Sequence, residues 1–224
     1  MKIATFGCSF AHENSNSGAP KFNMNGKPWM KILSEHFNHD VTNYGMSAST
    51  MYYSYNMFKD NYQKFDKIVF LGTFPDRKRF HFFKKPEFVS PTYLTVMPDW
   101  FSEESAKLIR LYYTLIHDIK EHEDMKELMV KEIKNLGGAN ALYLDTPTTL
   151  SNVSCMEELS DFKNIGFNDH RWCHMSNENN FILASQINDW INGKTFNFDI
   201  NTFKKPTVEE LMSYYKPTES AHAN

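Results

Sequence analysis

Apolar positions along this chain gather in four short segments, separated by longer stretches in which they recur every three to four residues. The segments cover residues 2–6, 41–44, 67–71 and 141–144, and the first, third and fourth stop at Gly7, Gly72 and Asp145. Each predicts a short strand, and the third, continuously apolar from Ile68 to Leu71 and stopping at Gly72, has the pattern of a buried parallel one. The intervening segments carry helical spacing. Residues 28–36 start on Pro28, suited to a first helical turn, and place Trp29, Ile32, Leu33 and His36 on one face. Residues 51–65 repeat Tyr52, Tyr55 and Phe58, and Ser49 is a natural cap before them. Ser102 caps a further helix whose inner side reads as Leu108, Leu111, Tyr112, Leu115 and Ile119. Another helix over residues 125–136 ends at Gly137-Gly138, and a final one over 176–191 buries Ile182, Leu183, Ile187 and either Trp190 or Ile191.

Strands alternating with helices imply a parallel sheet with helices on both faces, hence an α/β layered domain. There is no internal repeat and no interdomain linker. The expected organisation is one domain over residues 1–193 and a C-terminal extension over 194–224, where only 208–215 retain periodicity. Residues 84–101 hold Pro86, Pro91 and Pro98 and read as a long loop. The ring-rich stretch from Phe80 to Trp100 reads either as a hydrophobic cover on the sheet or as a stacking wall or lid beside a site.

Composition narrows the class. At 224 residues with 41% hydrophobic and 23% charged positions, the chain is an ordinary globular protein of one full-sized domain. Aromatic residues reach 15%, including 19 Phe and 11 Tyr, which predicts a core or cleft rich in rings. The formal net charge of -3 and the scattered basic residues argue against a nucleic-acid partner. No apolar run approaches the roughly 18 residues of a membrane span. Residues 1–6 are too short for a signal-peptide core. Three cysteines at unrelated spacings (Cys8, Cys155, Cys173) support neither a disulfide framework nor a zinc site. A reducing cytoplasm is the expected location, and neither a cofactor nor a metal is expected.

In parallel α/β sheets, ligands bind beyond the carboxyl ends of the strands. That directs attention to four places, after Phe6, after Tyr44, after Leu71 and after Leu144, and to the loop before the final helix. Gly7-Cys8-Ser9-Phe10 follows the first strand and can form a tight turn that exposes the serine hydroxyl, although serine after a strand is more often a turn or cap residue. Residues 43–50 follow the second strand, where small residues let backbone N–H groups approach a ligand. Gly72-Thr73-Phe74-Pro75-Asp76-Arg77 follows the third. Residues 168–176 gather Asp169, His170 and His174 just before the final helix, in the kind of loop where function concentrates.

In order and spacing these segments resemble the conserved blocks of the SGNH, or GDSL-like, hydrolase family, over roughly residues 2–192. The Gly7-Cys8-Ser9-Phe10 opening is most similar to that of divergent members often found in bacteriophages, in which case the location would be a host cytoplasm or a virion. The resemblance implies a three-layer α/β sandwich with a mainly parallel central sheet, flavodoxin-like in topology. It also implies a serine esterase in which Ser9 is the nucleophile, His174 its base and Asp169 the orienting acid. The N–H groups of Ser9 and of Ala48, or of Gly45, would form the oxyanion hole with Thr73 beside them, and Phe74, Arg77 and Trp172 would contact substrate. Substrates implied are small-molecule or glycan esters, acetyl groups on carbohydrates among them.

The chain departs from the family pattern at several positions. Cys8 replaces the usual aspartate of the first block. Phe74 stands where the third block has asparagine, removing a side-chain donor worth about 10²–10³ in turnover where one operates. Arg171 occupies the usual position of the acid, three residues before the histidine, which leaves Asp169 as the available carboxylate. These departures keep a second expectation open: a catalytically degenerate module of the same fold that binds a ligand or belongs to a virion. A third makes Cys8 or Cys173 a reactive thiol.

Overall fold

The computed structural model describes residues 1–11, 27–46, 49–75, 77–80, 87–89, 102–145 and 177–203. The chain packs as two compact units, Met1–His12 with His39–Leu150, and Glu13–Asn38 with Ser151–Asn224.

The first unit holds all four expected strands: β1 (Lys2–Phe6), β2 (Asp40–Asn43), β3 (Lys67–Gly72) and, after two short strands described below, β6 (Ala141–Asp145). They form one wholly parallel sheet in the order β2-β1-β3-β6. The expected α/β class with a parallel central sheet is therefore what the chain adopts. On one face, Ala4, Phe6, Ile68 and Phe70 pack against helix α2 (Met51–Asn61) through Met51, Tyr55 and Phe58. Met129 and Ile133 of helix α4 (Ile119–Gly137) complete that core. Residues of the opposite parity, Ile3, Thr5, Val69 and Leu71, are fully buried too, so the inner strands are covered on both faces. That is why these strands read as continuous apolar runs rather than alternating ones.

The aromatic surplus is spent on this core. In register across the sheet, the rings of Tyr44, Phe6, Phe70 and Tyr143 stack in a row, with centroids 5.0, 6.1 and 5.9 Å apart. Phe58 meets both Phe6 and Phe70 edge-on. Offset and edge-to-face pairs of this kind add about 0.5–1.5 kcal/mol each beyond burial. The row lies near the carboxyl ends of the four strands.

Several helical expectations shift. Helix α2 begins one residue after Thr50, whose hydroxyl accepts from the Tyr53 N–H at 3.1 Å, so Thr50 and not Ser49 is the cap. Its buried face is Met51, Ser54, Tyr55 and Phe58, while Tyr52 is 62% exposed. The helix capped by Ser102, α3 (Glu103–Leu115), buries Ser105, Ala106 and Ile109, and Leu108, Leu111 and Leu115 face outward with Ile119 beyond them. Large apolar side chains drew the expected stripe, whereas small ones line the face that packs. The helix stops at Leu115 because Asp118 starts α4 there, accepting from the Lys120 and Glu121 N–H groups. Strands β4 (Lys78–Phe80) and β5 (Glu87–Val89) pair antiparallel, β5 within the stretch expected to be loop.

In the second unit, α1 (Trp29–Glu35) and α5 (Asn177–Ile191) pack together, tied by the Trp29 N–H to Asn180 Oδ1 at 3.0 Å. Trp29, Met30, Ile32 and Leu33 are buried on α1, and Leu183, Ala184, Ile187 and Ile191 on α5. His36 is exposed, against expectation, and meets the Phe37 and Phe181 rings edge-on. Among the described residues, no helix is long and apolar enough to cross a membrane.

Candidate functional site

The order β2-β1-β3-β6 reverses direction between β1 and β3, since the chain leaves β1 toward β2 and then crosses to the other side. The carboxyl ends of β1 and β3 therefore flank a topological switch point, the place where open α/β sheets form their binding crevice. The turns after β1 and β2 are locked to one another there, and the first packs against the end of β3.

Gly7 leaves β1 with φ +143°, and a Cβ on it would lie 2.8 Å from both the Cβ and the carbonyl oxygen of Leu71. Only glycine fits, on both counts. Cys8 follows, buried with a free thiol, and then a single 3-10 turn, Ser9–Ala11, closed by the Ala11 N–H on the Cys8 carbonyl at 2.9 Å. Phe10 and Ala11 are buried, which anchors the turn that carries Ser9.

The β2 turn grips this one. The Tyr44 N–H donates to the Thr5 carbonyl at 2.8 Å and the Met46 N–H to the Gly7 carbonyl at 3.0 Å. Asn43 Oδ1 accepts both the Thr5 hydroxyl at 2.9 Å and the Gly45 N–H at 2.7 Å. Ser49, fully buried, donates its hydroxyl to the Gly7 carbonyl at 3.0 Å and lies 3.1 Å from the buried Ser54 hydroxyl.

At the end of β3, Gly72 lies so close to the Tyr143 hydroxyl that a Cβ there would overlap it unless that ring moved. Thr73 is fully buried, and its Oγ1 accepts from Arg77 Nη1 at 3.0 Å. The Arg77 guanidinium sits 5.0 Å from the centre of the Phe74 ring, a cation–π arrangement. At the end of β6, Asp145 accepts from the Tyr143 hydroxyl at 3.0 Å and pairs with Lys126 Nζ at 2.6 Å. Burial above all, then the Asp145 charge and its hydrogen bond, push the Tyr143 phenol well above its ordinary range.

Of the residues expected at the site, the structure thus brings Ser9, Gly45, Thr73, Phe74 and Arg77 to the turns that end β1, β2 and β3. Ala48, Asp169, Trp172 and His174 lie outside the described residues; the final helix begins at Asn177, three residues after His174. Two contributors lie outside the sequence reading of the site: Asn43 and Ser49, which cross-brace two turns. Asn43 and Ser49 were read as turn and cap residues, and only the second cap-competent hydroxyl at Thr50 signalled that Ser49 was available for something else. Among the described residues, no three His, Cys, Asp or Glu side chains gather as a metal cluster would require.

No family model and no curated relative matches the chain. Solved structures similar to it include a protein ascribed to the lipolytic G-D-S-L family, from Desulfitobacterium hafniense, at 16% identity over 66% of this chain and 79% of that one, with a TM-score of 0.29. An acetyl xylan esterase matches at 11% identity over 87% of this chain and 100% of its own, with a TM-score of 0.38. An acetylxylan esterase from Geobacillus stearothermophilus matches at 14% identity over 87% and 95%, with a TM-score of 0.36.

Proposed function

We propose that the protein is a serine esterase that cleaves small acyl esters, acetyl groups on carbohydrates among them, through an acyl-enzyme. Ser9 attacks the ester carbonyl, His174 takes the hydroxyl proton and returns it to the leaving alcohol, and Asp169 orients the imidazole. Water then attacks the acyl-enzyme and releases the acid. The observation that carries this reading is the Gly7–Ala11 turn. It places a serine at the switch point of a parallel sheet, on a backbone pinned by β2 and β3. With the single Gly45 N–H hydrogen given to Asn43, the reading assigns the oxyanion to the N–H groups of Ser9 and Ala48 with the Thr73 hydroxyl beside them, which accepts from Arg77 and keeps its own hydrogen to donate. Phe74, Arg77 and Trp172 are the proposed substrate contacts.

Hydrolysis of p-nitrophenyl acetate by the wild type and by Ser9→Ala tests the reading. It expects a loss of at least about 10³-fold in the variant, well within the roughly 10⁶-fold that removing a serine nucleophile can cost; equal rates would remove the serine mechanism. One observation favours a second reading, a binding module of the same fold. Phe74 stands where the family has a donor, and its ring is occupied by Arg77. Saturable binding of an acetylated oligosaccharide without turnover would select that alternative.

A further inference from the structure

We infer that Ser49, backed by Ser54, is a positioning residue for Ser9, setting the peptide that leads into the nucleophile turn. The inference rests on the reading of Ser9 as nucleophile. A carbonyl oxygen has two lone pairs, and both of those on Gly7 are used, by the Met46 N–H at 3.0 Å and by the Ser49 hydroxyl at 3.0 Å. Because a carbonyl can only accept, the single hydroxyl hydrogen of Ser49 goes to Gly7. In the 3.1 Å contact between Ser49 and Ser54 the donor is therefore Ser54. The result is a one-way chain, Ser54 to Ser49 to Gly7, in which each bond polarises the next. Both serines are fully buried, so solvent does not stand in for either hydroxyl.

This arrangement has a use at this place. Gly7, with φ +143°, carries no Cβ to resist rotation of the peptide that follows it. Two donors on its carbonyl supply the restraint that a side chain would otherwise give. One peptide further on, the Cys8 carbonyl is held by the Ala11 N–H at 2.9 Å, so the peptides on both sides of Cys8 are fixed and Ser9 with them. Ser49 is not needed to start α2, because Thr50 caps that helix. A Ser49→Ala change therefore spares the helix and loosens the turn.

The test is the rate of covalent modification at Ser9 by a fluorophosphonate probe, located by mass spectrometry. In that reaction the Ser9 Oγ–P bond forms, the P–F bond breaks, fluoride leaves and the serine proton passes to the base. The wild type is compared with Ser9→Ala, Ser49→Ala, Ser49→Cys and Ser54→Ala, with thermal midpoints measured alongside. The expected result is a maximal labelling rate lower by about 10-fold in Ser49→Ala, with the probe's half-saturation concentration unchanged, as a small misplacement of a reacting group produces. Ser49→Cys, which fills the space but donates weakly, labels as slowly. Ser54→Ala shows a smaller loss, about threefold, since it weakens the chain without breaking its last link. A purely structural role would lower the midpoint and leave the labelling rate of the folded protein unchanged. Wild-type labelling rates in folded Ser49→Ala and Ser49→Cys overturn the inference while Ser9→Ala stays unlabelled. Should neither Ser49 variant fold, an unchanged rate in Ser54→Ala overturns it. Labelling of Ser9→Ala at the wild-type rate, or none at Ser9 in the wild type, overturns the nucleophile reading itself and the inference with it.

Discussion

Gly45 lies against the Ala11 carbonyl so closely that a methyl group there would overlap both the carbonyl oxygen and its carbon. The contact joins the turn after β2 to the turn carrying Ser9, and both partners are backbone, so neither can swing aside as a side chain would. Gly45→Ala should cost about 1–3 kcal/mol, the range for overpacking, and should also displace the Ser9 turn. Urea denaturation measures the first effect and esterase activity the second. A variant with wild-type stability would show that the two turns are not in contact.

The face on which α3 packs gives a sharper contrast. Ile109 is 1% exposed and Leu115 is 74% exposed, although helical spacing alone favours Leu115 as the buried residue. Ile109→Ala should destabilise by about 2–5 kcal/mol, as core truncations do, whereas Leu115→Ala should stay within about 0.5 kcal/mol. Comparing urea midpoints settles the order, and the reverse order would restore the outer leucines to the core.

Tyr143 makes stability depend on alkaline pH. Its phenol ionises near 10 in the unfolded chain, and burial with Asp145 alongside raises that in the fold. Between the two values the unfolded chain has released a proton that the folded one keeps. Its contribution is therefore complete below about pH 10 and is lost as pH rises above that. The urea midpoint of the wild type should drop between pH 9 and about 11 more steeply than that of Tyr143→Phe. Parallel slopes would contradict the assignment. At neutral pH the same substitution should cost about 0.5–1.5 kcal/mol for the lost bond to Asp145.

Much of the architecture was legible before any coordinate. The segments at 2–6, 41–44, 67–71 and 141–144 became the four parallel strands within a residue at each end; the inner pair, β1 and β3, is buried on both faces and carries the apolar signal, whereas the edge strand β2 is exposed or half-buried along its length. Helix faces were less legible. On α3, Ser105 and Ala106 are buried and Leu108 is not, and small residues carry no hydrophobic signature that spacing could detect. The β4–β5 pair was hidden by its length, three residues a strand, and by the charges of Lys78 and Arg79. At the candidate site, the sequence order located the turns, while the cross-bracing was invisible. Nothing in the local sequence says that Asn43 Oδ1 serves Thr5 and Gly45 together, or that Ser49 reaches back 42 positions to Gly7. Those contacts are products of register, which fixes which turns stand side by side.

The proposed mechanism requires Ser9 and His174 to meet in one pocket. A crystal structure of the protein after reaction with a fluorophosphonate measures this most directly. The account predicts phosphorus bonded to Ser9 Oγ, one phosphoryl oxygen facing the N–H groups of Ser9 and Ala48, and a His174 ring nitrogen within about 3 Å of the ester oxygen. An adduct on another residue, or a His174 imidazole too distant for even one bridging water, would contradict it.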